Sequence, residues 1–194
     1  MKVVCFGDSL TARTEGHDRP LLSILLEQKL GAEWEVVNAG VPGNNTFQAR
    51  ERVENDVVRH DPDLVTVFFG ANDAAFHKQV PLPDFKTNLK EVVTRIGPNR
   101  VILISPAPVD ERLQEFRTNA VMQQYADAVQ EVSEEMGSNY LDLFTRMMEL
   151  PNLHEVLRGE RNDGLHFGEL GYEVLSEEIR RKIKRVMQTT KEAK

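Results

Sequence analysis

The chain has 194 residues, and its 24 basic and 31 acidic side chains give a formal net charge of −7. This length favours a single domain, and the 40% hydrophobic and 28% charged content excludes a wholly disordered or fibrous chain. The acidic balance argues against nucleic acid as the main partner, and no apolar run approaches the ~18–20 residues that stable membrane insertion requires.

Short apolar runs alternate with longer helical patterns along the chain. Strands are predicted at 2–6, 34–37, 64–69, 101–104 and 140–143, and helices near 19–30, 47–59, 84–95, 113–136 and 168–187. The third and fourth runs are almost continuously apolar, which is typical of parallel strands covered on both faces. Alternating strands and helices predict right-handed crossovers and an α/β fold with a parallel sheet between helical layers.

One stripe of the helix predicted at 113–136 is expected to be buried: Leu113, Phe116, Ala120, Val121, Ala128, Val129, Val132 and Met136. A second apolar group precedes the last helix and either lines a substrate pocket or packs on the sheet, with packing favoured: Met147, Met148, Leu150, Leu153, Val156 and Leu157. The basic run over 180–185 is interpreted as a solvated helix face.

The organisation along the chain predicts one domain over residues 1–188 and a frayed polar tail over 189–194. No long apolar segment with a small-residue cleavage site follows the N-terminus, which favours a cytoplasmic location. The only cysteine, Cys5, lies in the first predicted strand and excludes an internal disulfide. Nothing in the sequence indicates an oligomeric state.

Polar turns that contain glycine or proline follow the first four predicted strands and precede the last helix. They are 7–10 (Gly-Asp-Ser-Leu), 38–44, 70–73 (Gly-Ala-Asn-Asp), 105–108 and 163–166 (Asp-Gly-Leu-His). Ligands of open parallel sheets bind beyond the carboxyl ends of the strands. The topology therefore predicts that these turns share one rim and form the functional site.

Ser9 is a candidate nucleophile, and His166 is the candidate base. A serine hydroxyl requires a base within hydrogen-bond reach, and His166 has a carboxylate, Asp163, three residues before it on a turn that Gly164 permits. His17, His60, His77 and His154 show no comparable partner. In the structural alternative, Ser9 is an N-cap, and Asp163 and His166 only open the last helix.

Acyl transfer also requires donors for a developing oxyanion. The backbone N–H groups of Ser9 and Gly40 and the side-chain amide of Asn72 are the candidates, with glycine at 40 allowing the backbone to approach a ligand. Asp8 and Asp73 are expected to order their loops by accepting backbone hydrogen bonds. In the alternative reading, Gly40 and Asn72 belong to ordinary turns.

The four turns at 7–10, 38–40, 70–73 and 163–166 resemble the four sequence blocks of the GDSL esterases, or SGNH hydrolases, and occur in that family's order. The stretches 80–82, 88–89 and 106–111 are similar to the isoamyl acetate-hydrolysing esterase branch. The resemblance implies a flavodoxin-like three-layer α/β/α sandwich with a five-stranded parallel sheet. It also implies Ser9 as nucleophile, His166 as base, Asp163 as its orienting partner, and Ser9, Gly40 and Asn72 as oxyanion donors.

The expected function is therefore hydrolysis of small-molecule esters by a serine hydrolase that needs no metal and no organic cofactor. Carbohydrate O-deacetylation, lysophospholipid hydrolysis and thioester hydrolysis use the same machinery and stay open as alternatives. Two further alternatives belong to other classes. One is a catalytically silent acyl- or sugar-binding module, and the other is a metal-dependent phosphoesterase.

Overall fold

The computed structural model describes residues 1–192, and its centre is one parallel sheet. The strands are β1 (Lys2–Gly7), β2 (Glu35–Gly40), β3 (Leu64–Phe68), β4 (Val101–Ile104) and β5 (Asn139–Leu141). Their order in the sheet is β2-β1-β3-β4-β5. This is the order of a flavodoxin-like sheet, so the predicted α/β fold is confirmed.

Helices cover both faces of this sheet. Within residues 1–192 they are α1 (Ser9–Ala12), α2 (Leu21–Leu30), α3 (Thr46–Asp56), α4 (Leu82–Ile96), α5 (Asn119–Met136), α6 (Leu143–Met148), α7 (Leu153–Val156) and α8 (Glu169–Glu192). Helices α3, α4 and α5 pack side by side, while α2 packs against α8. Right-handed crossovers place these two groups on opposite faces, which gives the three layers.

The apolar runs are explained by burial of the sheet on both sides. Every residue of β3 and β4 is buried, and so is every residue of β1 except Lys2. The Cys5 thiol is enclosed in β1, where burial raises its pKa to about 12. The edge strand β2 is only half-buried, which explains its weaker apolar signal.

The predicted start of the fourth long helix is wrong. Helix α5 begins at Asn119 rather than at 113, because the side chain of Thr118 caps it by accepting a hydrogen bond from the Val121 N–H at 3.3 Å. Leu113 and Phe116 therefore lie in the preceding loop, where each is 46% exposed. Ala120 is also exposed. The later members of the stripe, Ala128, Val129 and Val132, are buried as predicted.

The C-terminal part of the chain differs in detail from the prediction. Asp142 caps α6 by accepting from the Thr145 N–H at 3.0 Å, so β5 ends before it. Helix α8 continues past 189 to Glu192, and residues 193–194 of the predicted tail lie outside the described part of the chain. The guanidinium groups of Arg180 and Arg181 pair with Glu177, as expected of a solvated helix face.

The apolar group before α8 mainly packs in the interior. Met147, Val156 and Leu157 are buried, whereas Met148 is 43% exposed. Packing rather than pocket lining thus describes most of this group. No helix between residues 1 and 192 combines the length and the apolar composition that crossing a bilayer requires.

Candidate active site

The carboxyl ends of the strands surround a cavity of about 340 Å³. It is lined by Ser9, Pro42, Gly43, Asn72, Leu113, Gln114, Glu115, Phe116, Arg117, Arg161, Asp163, Leu165 and His166. The sheet topology therefore brings together side chains that lie up to 157 positions apart in sequence. Of the predicted site residues, Ser9, Asn72, Asp163 and His166 line this cavity.

Ser9 lies at the point where β1 turns into α1. The N-cap of α1 is Asp8, whose Oδ1 accepts a hydrogen bond from the Leu10 N–H at 2.9 Å. Ser9 is the first helical residue, and its hydroxyl is left available for another partner. The turn is so tight that a Cβ on Gly7 would lie 2.0 Å from Thr11 Oγ1. The alternative in which Ser9 is the N-cap is thus wrong.

Ser9, His166 and Asp163 form a continuous line of hydrogen bonds. The Ser9 Oγ lies 2.8 Å from His166 Nε2, and His166 Nδ1 lies 2.7 Å from Asp163 Oδ2. The other carboxylate oxygen, Oδ1, accepts from the backbone N–H groups of Leu165 at 3.0 Å and His166 at 2.9 Å. Gly164 makes this turn possible with a φ of 74°. Helix α8 begins only at Glu169, so neither residue of the pair caps it.

The surroundings of the pair favour a neutral imidazole beside an ionised carboxylate. Burial disfavours the imidazolium and lowers the pKa of His166, although the Asp163 carboxylate acts in the opposite direction. Burial alone would raise the pKa of Asp163, but hydrogen bonds from the backbone and ring of His166 lower it below its usual value. A histidine held in this way can accept a proton from Ser9 while Asp163 stabilises the resulting charge.

Asn72 lies across the cavity from this pair, on the loop after β3. Its Nδ2 donates to the Asn44 carbonyl at 2.9 Å and to Asp8 Oδ2 at 3.2 Å. Its Oδ1 lies 3.5 Å from the Arg117 guanidinium. The amide is thus held at both ends, and its nitrogen faces the loop that carries Ser9.

The two aspartates predicted to order loops are both buried. Asp8 caps α1, and burial, reinforced by the charge of Asp73, raises the pKa of Asp8 to about 7 although the bond from Leu10 opposes it. Asp73 Oδ1 accepts from the Thr46 N–H at 2.9 Å and from its hydroxyl at 2.6 Å. Each carboxylate accepts a backbone hydrogen bond, in the manner expected for loop-ordering residues.

Gly40 is placed beside the site but is not among the residues that line the cavity. Its N–H donates to Asn38 Oδ1 at 3.0 Å. A Cβ at this position would lie 2.6 Å from the Ala12 nitrogen and 2.9 Å from the Thr11 carbonyl carbon. Glycine is thus required here by close packing of β2 on α1, whereas the sequence interpretation had assigned it to the approach of a ligand.

The segment from Leu113 to Arg117 was missed as part of the site. The helical period predicts Leu113 and Phe116 in a buried stripe and gives no role to the three residues beside them, yet all five successive residues line the cavity. Arg117 and Gln114 make hydrogen bonds there, while Leu113 and Phe116 form its apolar wall. The available signal was Thr118, a favourable N-cap residue directly before a helical pattern.

Two further histidines also have a carboxylate neighbour, contrary to the prediction: His17 Nε2 lies 3.5 Å from Glu169 Oε1, and His154 is paired with Asp110. His154 Nδ1 lies 3.2 Å from Asp110 Oδ2 in a neighbouring cavity of about 490 Å³. The imidazole of His154 is 59% exposed, and no serine, threonine or cysteine lines that cavity. Among the described residues, no three histidine, cysteine, aspartate or glutamate side chains cluster as a metal site would require.

Known proteins are similar to this chain in sequence and in fold. The pattern of the GDSL-like Lipase/Acylhydrolase family matches residues 5–174. A GDSL esterase/lipase of Arabidopsis thaliana is 34% identical, over 94% of this chain and 86% of its own length. The human isoamyl acetate-hydrolyzing esterase 1 homolog is 31% identical, over 90% and 77% respectively. The crystal structure of the lipase/acylhydrolase from Enterococcus faecalis superposes with a TM-score of 0.88 at 34% identity, covering 94% and 95% of the two chains.

Proposed function

The chain belongs to the GDSL-like Lipase/Acylhydrolase family and is a carboxylic ester hydrolase, and on that premise we propose that it cleaves small O-acyl esters through Ser9, His166 and Asp163. One observation carries the assignment. The Ser9 hydroxyl, the His166 ring and the Asp163 carboxylate are joined by hydrogen bonds of 2.8 and 2.7 Å at the wall of the cavity.

The reaction begins with proton transfer from Ser9 to His166. Nε2 accepts the hydroxyl proton as Oγ forms a bond to the ester carbonyl carbon, and the carbonyl π electrons move onto its oxygen. The proton on Nδ1 stays directed at Asp163, which stabilises the imidazolium. The lowered pKa of His166 supports this role, because it keeps the ring neutral at neutral pH.

The oxyanion is assigned to donors at the mouth of the β1–α1 turn. The Ser9 N–H is the first of a helix and has no intrahelical acceptor, so it is available. The Nδ2 of Asn72 is the second donor. Of its two present hydrogen bonds, the oxyanion replaces the longer one, which goes to Asp8 Oδ2 at 3.2 Å. The Gly40 N–H is the third donor, and it must leave or share its bond to Asn38.

Collapse of the tetrahedral intermediate releases the alcohol and leaves an acyl group on Ser9. His166 gives its proton to the leaving oxygen and then accepts one from water, which attacks the acyl carbon. The second tetrahedral intermediate expels Oγ, which regains the proton from His166. Every proton in this cycle passes through Nε2, and no metal or organic cofactor takes part.

Short-chain esters are the substrates that we propose. Relatives at 31% identity are named for hydrolysis of isoamyl acetate, and the cavity of about 340 Å³ is lined by Leu113, Phe116 and Leu165 beside polar groups. Carbohydrate O-deacetylation, lysophospholipid hydrolysis and thioester hydrolysis are the alternatives on the same site. The acyl-chain dependence separates them, since activity that rises toward long chains indicates lipids.

The test is hydrolysis of p-nitrophenyl esters from acetyl to decanoyl, with and without EDTA. Ser9→Ala should lower kcat at least ~10³-fold with a much smaller change in KM. Ser138→Ala, at the amino end of β5 and far from the rim, is the matched control and should behave like the wild type. Near-normal activity of Ser9→Ala would contradict the assignment.

The same assay distinguishes the serine esterase from the two alternatives of other functional classes. Loss of activity in EDTA would favour the metal-dependent phosphoesterase. Absence of turnover of any ester, with retained binding of an acetylated sugar, would favour the silent binding module.

A further inference from the structure

Arg117 is a buried cation in the wall of the active-site cavity. The residue is only 6% exposed and lines the same cavity as Ser9 and His166. Its guanidinium makes no ion pair with a carboxylate among residues 1–192. Burying a charge is costly unless hydrogen bonds satisfy it, so the bonds that this side chain makes indicate its role.

The guanidinium donates to neutral oxygens from two sides of the cavity. Nε donates to the carbonyl of Ala71, and Nη2 lies 3.5 Å from Oδ1 of Asn72, the next residue along the loop after β3. Nη1 donates to Gln114 Oε1 at 3.1 Å. A planar fork of this kind fixes the positions of several acceptors at once, which a lysine ammonium does not.

These contacts determine which end of the Asn72 amide faces which neighbour. With Oδ1 toward Arg117, Nδ2 faces two acceptors, the Asn44 carbonyl and Asp8 Oδ2. In the flipped orientation, the amide N–H groups would face the cation and the oxygen would face those two acceptors. Every contact would then be repulsive, so Arg117, together with the Asn44 carbonyl and Asp8, selects the orientation that leaves a nitrogen donor near Ser9.

Arg117 also connects this loop to the opposite wall. Gln114, which accepts from Arg117, donates through Nε2 to the backbone carbonyl of Asp163 at 3.0 Å. The loop that carries Asn72 and the turn that carries His166 are therefore joined by two side chains. The nearby charges of Asp8 and Asp163 favour the guanidinium cation, against the burial that lowers its pKa.

We propose that Arg117 is a positioning residue that holds the Asn72 amide with its nitrogen directed toward the oxyanion. The inference rests on the proposed function, because it requires Asn72 to be an oxyanion donor. The hydrogen bonds of Arg117 go to Ala71, Gln114 and Asn72, and none of them goes to Ser9 or His166. Removal of Arg117 should therefore act on kcat through Asn72, with little effect on KM.

A double-mutant cycle between Arg117 and Asn72 tests this role. Asn72→Ala should lower kcat about 10²–10³-fold, and Arg117→Met should lower it about 10–100-fold, since a small misplacement of a catalytic group has an effect of this size. In the Asn72→Ala background, the loss of kcat from Arg117→Met should shrink to about threefold or less, because the amide that it positions is gone and only its link through Gln114 to the Asp163 carbonyl remains. Arg100→Met, an exposed arginine beside the amino end of β4, is the matched control.

Each outcome decides the proposal. Equal losses from Arg117→Met in both backgrounds, or a raised KM with kcat unchanged, would overturn the positioning role and leave the proposed function intact. Full activity of Asn72→Ala would overturn this inference together with the oxyanion assignment, whereas failure of the nucleophile assignment would be seen separately in Ser9→Ala. If circular dichroism shows Arg117→Met to be unfolded, Arg117→Lys provides the same cycle. A loss of kcat that occurs when Asn72 is present and largely disappears in Asn72→Ala supports the proposal.

Discussion

Replacing Asp163 by asparagine should leave the turn folded and remove most of the activity. Asp163 Oδ1 accepts from the backbone N–H groups of Leu165 and His166, so the amide oxygen of the asparagine must take that position. The amide nitrogen then faces His166 Nδ1, where Oδ2 now lies at 2.7 Å. Because that nitrogen is a donor, Nδ1 must give up its proton, and the ring proton moves to Nε2.

The wrong tautomer determines the size of the effect. At 2.8 Å from Ser9 Oγ, an Nε2–H donates to the hydroxyl and cannot accept its proton. We expect kcat to fall about 10⁴-fold at neutral pH, by analogy with the same substitution in serine proteases. At 1.36 kcal/mol for each factor of ten, this corresponds to about 5 kcal/mol of transition-state stabilisation.

Asp163→Ala is the comparison that makes the prediction sharp. Alanine removes both backbone hydrogen bonds and should destabilise the fold by about 1–3 kcal/mol, whereas asparagine retains them. In urea unfolding, Asp163→Asn should therefore be more stable than Asp163→Ala. With p-nitrophenyl acetate, Asp163→Asn should be no more active than Asp163→Ala. Retention of more than about a tenth of wild-type kcat by Asp163→Asn would refute the tautomer argument.

Further expectations concern acidity, packing and the cavity wall. Since the pKa of His166 is lowered, kcat/KM should fall only below about pH 6.5 and stay level through neutrality, and a half-point above that value would contradict a buried neutral base. Gly40→Ala places a Cβ 2.6 Å from the Ala12 nitrogen and should lower kcat about 100-fold. Gly31→Ala, at the C-cap of α2 with a φ of 85°, should lower the free energy of unfolding by about 1 kcal/mol but leave kcat unchanged. Phe116→Ala should lower the free energy of unfolding by about 1 kcal/mol, because the half-exposed ring packs edge-to-face on His77, and should raise KM for longer acyl chains. A loss of more than about 2 kcal/mol would instead place Phe116 in the core.

Short stretches of sequence were sufficient to predict the buried strands and the turn at Gly164. The buried strands β1, β3 and β4 are read from short apolar runs, and the turn at Gly164 from the residues around it. The edge strand β2 was placed correctly but ended early, since a half-buried strand has a weaker apolar pattern. The predicted start of α5 is too early because the spacing of Leu113 and Phe116 continues the helical period by chance, whereas the N-cap at Thr118 makes the helix begin at Asn119.

The sequence by itself determined the fold class, the family resemblance and the chemical types at the rim, because Ser9, Asn72 and the Asp163–His166 pair each lie in a short diagnostic block. Only the tertiary structure decided their partners. The hydrogen bond between Ser9 and His166 joins residues 157 positions apart, and the contact of Arg117 with Asn72 spans 45 positions. Local propensity carries no information about such pairs, because they form only when the crossovers bring the carboxyl ends of the strands to one edge of the sheet.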